Sequence, residues 1–121
     1  MIAPGRKGES AMPYDPGLAE RLAELVAGRP GFRLKKMFGG IGWMLNGNMC
    51  VGVWREWLIV RAGEDATATI CQDKGVKPMD LTGRPMKGWA MAGPEAVASD
   101  AALARYVELA AGFVSTLPEK E

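Results

Sequence analysis

Gly40-Ile41-Gly42-Trp43-Met44-Leu45-Asn46-Gly47-Asn48-Met49-Cys50-Val51-Gly52-Val53-Trp54 is the stretch that decides the fold class. Asn-Gly is a strong hairpin signal, because both residues tolerate the positive φ of a turn that matches strand twist. The apolar runs on either side, 40–45 and 49–54, therefore read as two antiparallel strands. Alternation places Ile41, Trp43 and Leu45 on one face of the first, with Gly40, Gly42 and Met44 on the other. Working outward, Arg55-Glu56 reads as a tight turn with poor turn chemistry, and Trp57 to Ala62 as a third strand. Upstream, Phe32 to Phe38 partly alternates apolar with basic residues and adds another. Consecutive short strands joined by short turns make an antiparallel meander.

Helices flank this sheet. Asp15-Pro16 is a helix start, since aspartate caps the free amides and proline suits the first helical position. Leu18, Leu22, Leu25 and Val26 share one stripe, Gly28 closes the helix, and Pro30 prevents its return. Glu64-Asp65 opens a shorter helix to about residue 73, ended by Gly75. Trp89-Ala90-Met91 is the last expected strand. Ser99 or Asp100 caps a final helix whose Leu103, Tyr106, Val107, Ala110, Val114 and Leu117 recur at helical spacing, with Pro118 at its end. The expected order is α-β-β-β-β-α-β-α: an α+β domain with helices packed on an antiparallel sheet of about five strands. Residues 1–14 mix proline, glycine and charge without periodicity and read as a tail, leaving one domain over 15–121.

Composition narrows the function classes. The 121 residues are 48% hydrophobic and 24% charged, ordinary for a globular domain, and no apolar run approaches a membrane span. There is no histidine, which removes the commonest general base, the commonest metal ligand and every Ser-His or Cys-His pairing. Cys50 and Cys71 make neither a disulfide framework nor a zinc site and read as small buried hydrophobes. No cofactor, metal or catalytic residue is expected, and neither is an enzymatic activity, with an enzyme of unknown type as the remaining alternative. The N-terminus has no charged-then-apolar leader pattern, so a cytoplasmic location is expected.

The net charge is +1, but residues 29–87 hold ten Lys or Arg against five Asp or Glu, while both flanks are acidic. Two arrangements fit: a basic face, or basic strands beside acidic helices within one mixed surface. The stretch Lys74 to Lys87 is the richest candidate site. Lys74, Lys77, Arg84 and Lys87 stand there against Asp73 and Asp80, and Thr82-Gly83 precedes Arg84 as a turn that can aim its guanidinium. An arginine fork suits phosphate or carboxylate. The competing reading is an internal Arg84–Asp80 pair that pins the loop. Trp54 and Trp57, beside Arg55, form a second candidate patch. Gly39-Gly40-Ile41-Gly42 is not a phosphate loop, since a strand follows it rather than a helix N-terminus. Its glycines fit a bend or a close strand approach.

Two segments carry a family resemblance. Lys36-Met37-Phe38-Gly39-Gly40-Ile41-Gly42 with Asn46-Gly47-Asn48-Met49, and Met79 through Trp89, resemble the TfoX/Sxy N-terminal-domain family of bacterial proteins linked to natural competence. The resemblance covers about residues 16–117 and implies an α+β fold with a central antiparallel sheet. It also implies a regulatory role through protein contacts, with a transcription factor as partner, and it brings no catalytic residues. Regulators of the family usually carry a second, helical C-terminal domain. This sequence, ending at Glu121, is expected to lack it, and weak or no direct DNA binding is expected of this chain. A homodimer is one arrangement left open. The alternative expectation is a small-molecule or anion-binding module built on the loop around Arg84.

Overall fold

The computed structural model describes residues 14–37, 39–80 and 83–120. Its elements run α1 (Pro16–Val26), β1 (Phe32–Met37), β2 (Gly40–Leu45), β3 (Asn48–Trp54), β4 (Trp57–Arg61), α2 (Glu64–Ile70), β5 (Val76–Pro78), β6 (Trp89–Ala92) and α3 (Asp100–Val114). The strands form one antiparallel sheet in the order β1-β2-β3-β4-β6-β5. This is the expected α+β domain, with six strands instead of about five. The extra strand, β5, is three residues long and sits at a sheet edge. That is where Pro78 can be tolerated, because an edge strand does not need its missing donor.

Local chemistry sets the connections. Asn46 and Gly47 both take positive φ, +53° and +84°, and join β2 to β3 with Leu45 opposite Asn48. Arg55 also takes positive φ, +56°, between the paired Trp54 and Trp57. That left-handed geometry costs a non-glycine residue about 1–2 kcal/mol. The backbone of the preceding segment braces it: Tyr14 bridges to Arg55, and the Asp15 amide donates to the Arg55 carbonyl at 2.7 Å. Residue 14 therefore belongs to the folded unit, whereas the rest of the expected tail, 1–13, lies outside the described residues. The Asp15 carboxylate caps α1 through the amides of Gly17 and Leu18, and the Ser99 hydroxyl caps α3 through Ala102.

All three helices lie on one face of the sheet. Leu18, Leu22 and Val26 of α1 and Leu103, Tyr106, Val107, Ala110 and Val114 of α3 are buried there against Ile41, Trp43, Val51, Val53, Leu58 and Val60. The helix α3 ends at Val114, earlier than the expected stop at Pro118, and Leu117 packs against the core from beyond it. In β3 the pairing slips by one residue, so that Trp43 faces Val51 while Met44 faces Met49. The extra residue of this β-bulge is Cys50, and it is fully buried in the helix-side core.

The charge asymmetry in the sequence resolves by face. The six strands contain Arg33, Lys35, Lys36, Arg61 and Lys77 and no acidic residue. On the helical side three arginines are paired: Arg21 with Asp100 at 3.1 Å, Arg29 with Glu108 at 2.6 Å, and Arg105 with Asp73 at 2.9 Å.

Candidate functional site

The face of the sheet away from the helices carries an apolar cleft of about 600 Å3. Its floor is made by glycines. Gly42 and Gly52 sit opposite each other on β2 and β3, so neither strand raises a side chain there. The Met49 side chain lies flat over both: Cβ atoms added at Gly42 and Gly52 would come within 2.9 Å of its Sδ and 2.8 Å of its Cε, respectively. At Gly40 an added Cβ would collide with the carbonyl oxygen of Val53, so this glycine serves the close approach of two strands. The glycine run thus acts in packing, as its sequence context suggests.

The walls come from both ends of the fold. Met37 of β1 stands on one side, Met49 and Trp54 of β3 and Ile59 of β4 lie between, and Trp89 of β6 stands on the far side with Met79 and Met86. The last two reach the cleft because the loop after β5 closes on itself at its neck. The Met86 amide donates to the Met79 carbonyl at 2.8 Å, and the Trp89 amide donates to that of Met86 at 3.1 Å. Four thioethers line one cavity, and methionine, unbranched and polarizable, adapts its shape to what it touches.

Cations surround this apolar trough. The Arg55 guanidinium lies 4.6 Å over the Trp54 ring, Arg61 lies 5.0 Å over Trp89, and Lys77 Nζ lies 5.0 Å over Trp57. Arg33 and Lys35 pair with Met44 and Gly42 across β1 and β2, which puts them on the same face at its outer edge. Among the described residues, no carboxylate lies within 4.0 Å of Arg33, Lys35, Arg55 or Arg61.

The residues singled out from the sequence divide. Trp54 lines the cleft, and Trp57 stands beside it as its cross-strand partner. Lys77 joins the rim, 4.0 Å from Asp80. Lys74 does not: it is 91% exposed and pairs with Glu95 at 3.9 Å. Arg84 and Lys87 are exposed in the loop, and Thr82 lies outside the described residues. The Arg84–Asp80 pair does not form; the Asp80 carboxylate has Lys77, on the strand that precedes it, at 4.0 Å. Of the four basic residues of this stretch, Lys74 is thus drawn to Glu95 and Lys77 stands at the cleft rim. What sequence reasoning missed is the methionine wall and the Arg33, Lys35 and Arg61 part of the rim. Gly40, Gly42 and Met44 had already marked that face of β2.

The titratable side chains inside the fold are held in quiet states. Burial pushes the Cys50 thiol up to about 12, against the lowering influence of Arg29 and Arg61, so it stays protonated and unreactive. Burial, with Asp73 nearby, also raises Cys71. Hydrogen bonds from Arg105 and from Tyr106, whose hydroxyl donates at 2.8 Å, hold the Asp73 carboxyl below its ordinary value. Among the described residues, no three His, Cys, Asp or Glu side chains group as a metal site. No helix there is long and apolar enough to cross a membrane.

The family model for the TfoX N-terminal domain matches residues 24–114, from the end of α1 to the end of α3. The chain belongs to that family, a non-catalytic, regulatory-type one linked to competence. No curated protein and no solved structure matches it.

Proposed function

We propose that this chain is a non-enzymatic, cytoplasmic docking module that acts through protein contacts in transcriptional control of the competence type. The observation that carries the reading is the cleft on the helix-free face. It is apolar, large enough for several side chains, and rimmed by cations, of which Arg33, Lys35, Arg55 and Arg61 have no carboxylate within 4.0 Å among the described residues. Membership of the TfoX N-terminal domain family supports the regulatory setting. Recessed apolar surface with a polar rim is the anatomy of a protein-binding hot spot. The partner in this reading is a protein of the transcription machinery, and DNA contact by this chain is weak. The rim would contribute only phosphate contacts, which are salt-sensitive and carry no sequence information.

A photo-crosslinking amino acid at Met86, introduced in the native cell, tests this. The expected product is a covalent adduct with another protein, identified by mass spectrometry. The adduct should be lost when Gly42→Leu fills the floor. Adducts that are indifferent to Gly42→Leu, or no protein adduct at all, refute docking at the cleft.

A second reading, anion binding by the loop around Arg84, has one observation in its favour: Arg84 is exposed and unpaired with Asp80, next to Gly83 and near Lys87. Titration with inorganic phosphate, followed by amide shifts at Gly83 and Arg84, distinguishes it from the first.

A further inference from the structure

The cleft has a shape and a charge pattern that specify more than an apolar contact. It runs from Met37 on β1 to Trp89 on β6, which are four strand spacings apart in the sheet, or roughly 19 Å. Its cations are spread along that length. Arg33 and Lys35 stand on β1, Arg55 at the β3–β4 turn and Arg61 at the end of β4. Charges distributed in this way are matched by an extended, multiply charged anion. A compact one would reach only one end.

We infer that the cleft receives an acidic amphipathic helix of a partner protein, its apolar stripe in the methionine-walled trough and its carboxylates against Arg33, Lys35, Arg55 and Arg61. This rests on the docking reading above and adds the chemistry of the partner. A helix rises 1.5 Å per residue, so about 13 residues cover roughly 19 Å, with apolar anchors at i, i+3 or i+4, and i+7. Thioether walls suit such an insert, because they repack around side chains of different shape. The rim cations are well placed for the flanks. Each of Arg55 and Arg61 is steadied by a tryptophan ring, and although Arg61 Nη1 donates to the Met49 carbonyl at 3.5 Å, a planar guanidinium has further N–H groups for an oxygen acceptor.

Two other occupants fit less well. A single-stranded nucleic acid binds such sheets by stacking bases on aromatic faces. Here guanidiniums already lie over Trp54 and Trp89, and the surface between them is a recess, not a platform. A second copy of this chain seated face to face would set the same unpaired cations against each other, a costly arrangement.

The test is selection from a displayed library of randomised helical peptides on the intact chain, with no charge bias in the library. The expected winners combine Asp or Glu with large apolar residues at i, i+3 or i+4, and i+7. Their affinity should fall about tenfold or more in the double variant Arg33→Glu with Lys35→Glu, since rim charges govern such encounters. Both residues are exposed on an edge strand, so thermal melting should show that variant still folded. Gly42→Leu, whose Cβ has the flexible ends of Met49 and Met37 as its nearest neighbours, should abolish binding. Basic or uncharged winners, winners that bind Gly42→Leu as well as the parent, no enrichment, or tighter binding of single-stranded oligothymidylate would each overturn the inference. If the Met86 crosslink captures a partner through a basic or uncharged segment, this inference fails and the docking reading stands. No crosslink at all removes both.

Discussion

Replacing Gly40 and Gly42 separately with alanine probes the close approach of β2 and β3 beneath the cleft. The two glycines stand on the same face of β2, and neither has a positive φ. Backbone conformation therefore does not distinguish them, and their surroundings do. An alanine methyl at position 40 meets the carbonyl oxygen of Val53, a backbone atom fixed in the ladder between β2 and β3. Relief requires the strands to part, which weakens one or two ladder hydrogen bonds at about 1 kcal/mol each. Overpacking adds about 1–3 kcal/mol, and the lower entropy of the unfolded chain returns about 0.4–1 kcal/mol. The net loss at Gly40→Ala is about 2–4 kcal/mol. At position 42 the methyl meets Met49 Sδ at 2.9 Å and Cε at 3.0 Å, atoms at the far end of a side chain that can rotate away. The expected change there is within about 1 kcal/mol of zero, because the entropy gain offsets the repacking. With an unfolding entropy of about 2.1 cal/mol/K per residue, 121 residues give about 0.25 kcal/mol/K. Gly40→Ala should then lower Tm by about 8–16 °C, and Gly42→Ala should move it by no more than about 4 °C. Differential scanning calorimetry at neutral pH reads both. Equal losses, or a Gly40→Ala chain as stable as the parent, would refute the account of the strand contact.

Val107 is fully buried between α3 and the sheet, so Val107→Asp places an unpaired charge in the core and should cost about 4 kcal/mol or more; urea unfolding measures it, and a midpoint unchanged within error contradicts the packing. Burial and the hydrogen bond to Asp73 push the Tyr106 hydroxyl from 10.0 up to about 12. The folded state thus keeps a proton that the unfolded chain releases, so stability is full below pH 10 and falls as pH rises to about 12, and Tyr106→Phe should flatten that alkaline limb in pH-dependent denaturation. Asp73 has the opposite sign: its lowered value gives stability present above 3.8 and lost as pH falls through the folded-state value, so Asp73→Asn should flatten the acid limb. Arg84 is exposed without an Asp80 pair, so Arg84→Ala and Asp80→Asn should each leave Tm within about 2 °C of the parent, and strong non-additivity in the double variant would restore the strut.

Most of the fold is legible in short signals whose physics is local. Asn46-Gly47, Asp15-Pro16 and Ser99 act through the turn or cap they form, and the apolar stripe of α3 needs only its own periodicity. β5 was not legible. Three residues with a proline gain their pairing from β6, which arrives ten residues later in the chain. The site was half legible, for two physical reasons. Alternation along β3 misplaces Met49, because the bulge turns both Cys50 and Val51 toward the helices and leaves Met49, Gly52 and Trp54 on the cleft. Met79 and Met86 reach the cleft through a loop whose neck is closed by backbone hydrogen bonds, and side-chain identity gives no sign of that closure. Within the basic stretch 74–87, Lys74 is drawn off to Glu95 while Lys77 turns to the Trp57 ring, a division that spacing in the sequence does not show.

Three of the five strand pairings are closed by two-residue turns, Met37 to Gly40, Leu45 to Asn48 and Trp54 to Trp57. The pairing of β4 with β6 is different, joining Arg61 to Trp89 and Leu58 to Ala92 across α2 and β5. Loop closure costs more entropy for the longer span, so the four-strand meander should assemble first and the β5–β6 hairpin should dock on it late. In the transition state for folding, substitutions at Val51 or Val60 would then carry high φ-values, and those at Ala90 low ones. The late piece brings with it Met79, Met86 and Trp89, one end of the cleft. A chain caught partway along this route would have its sheet but no finished pocket, so binding competence becomes a reporter of the last step of folding.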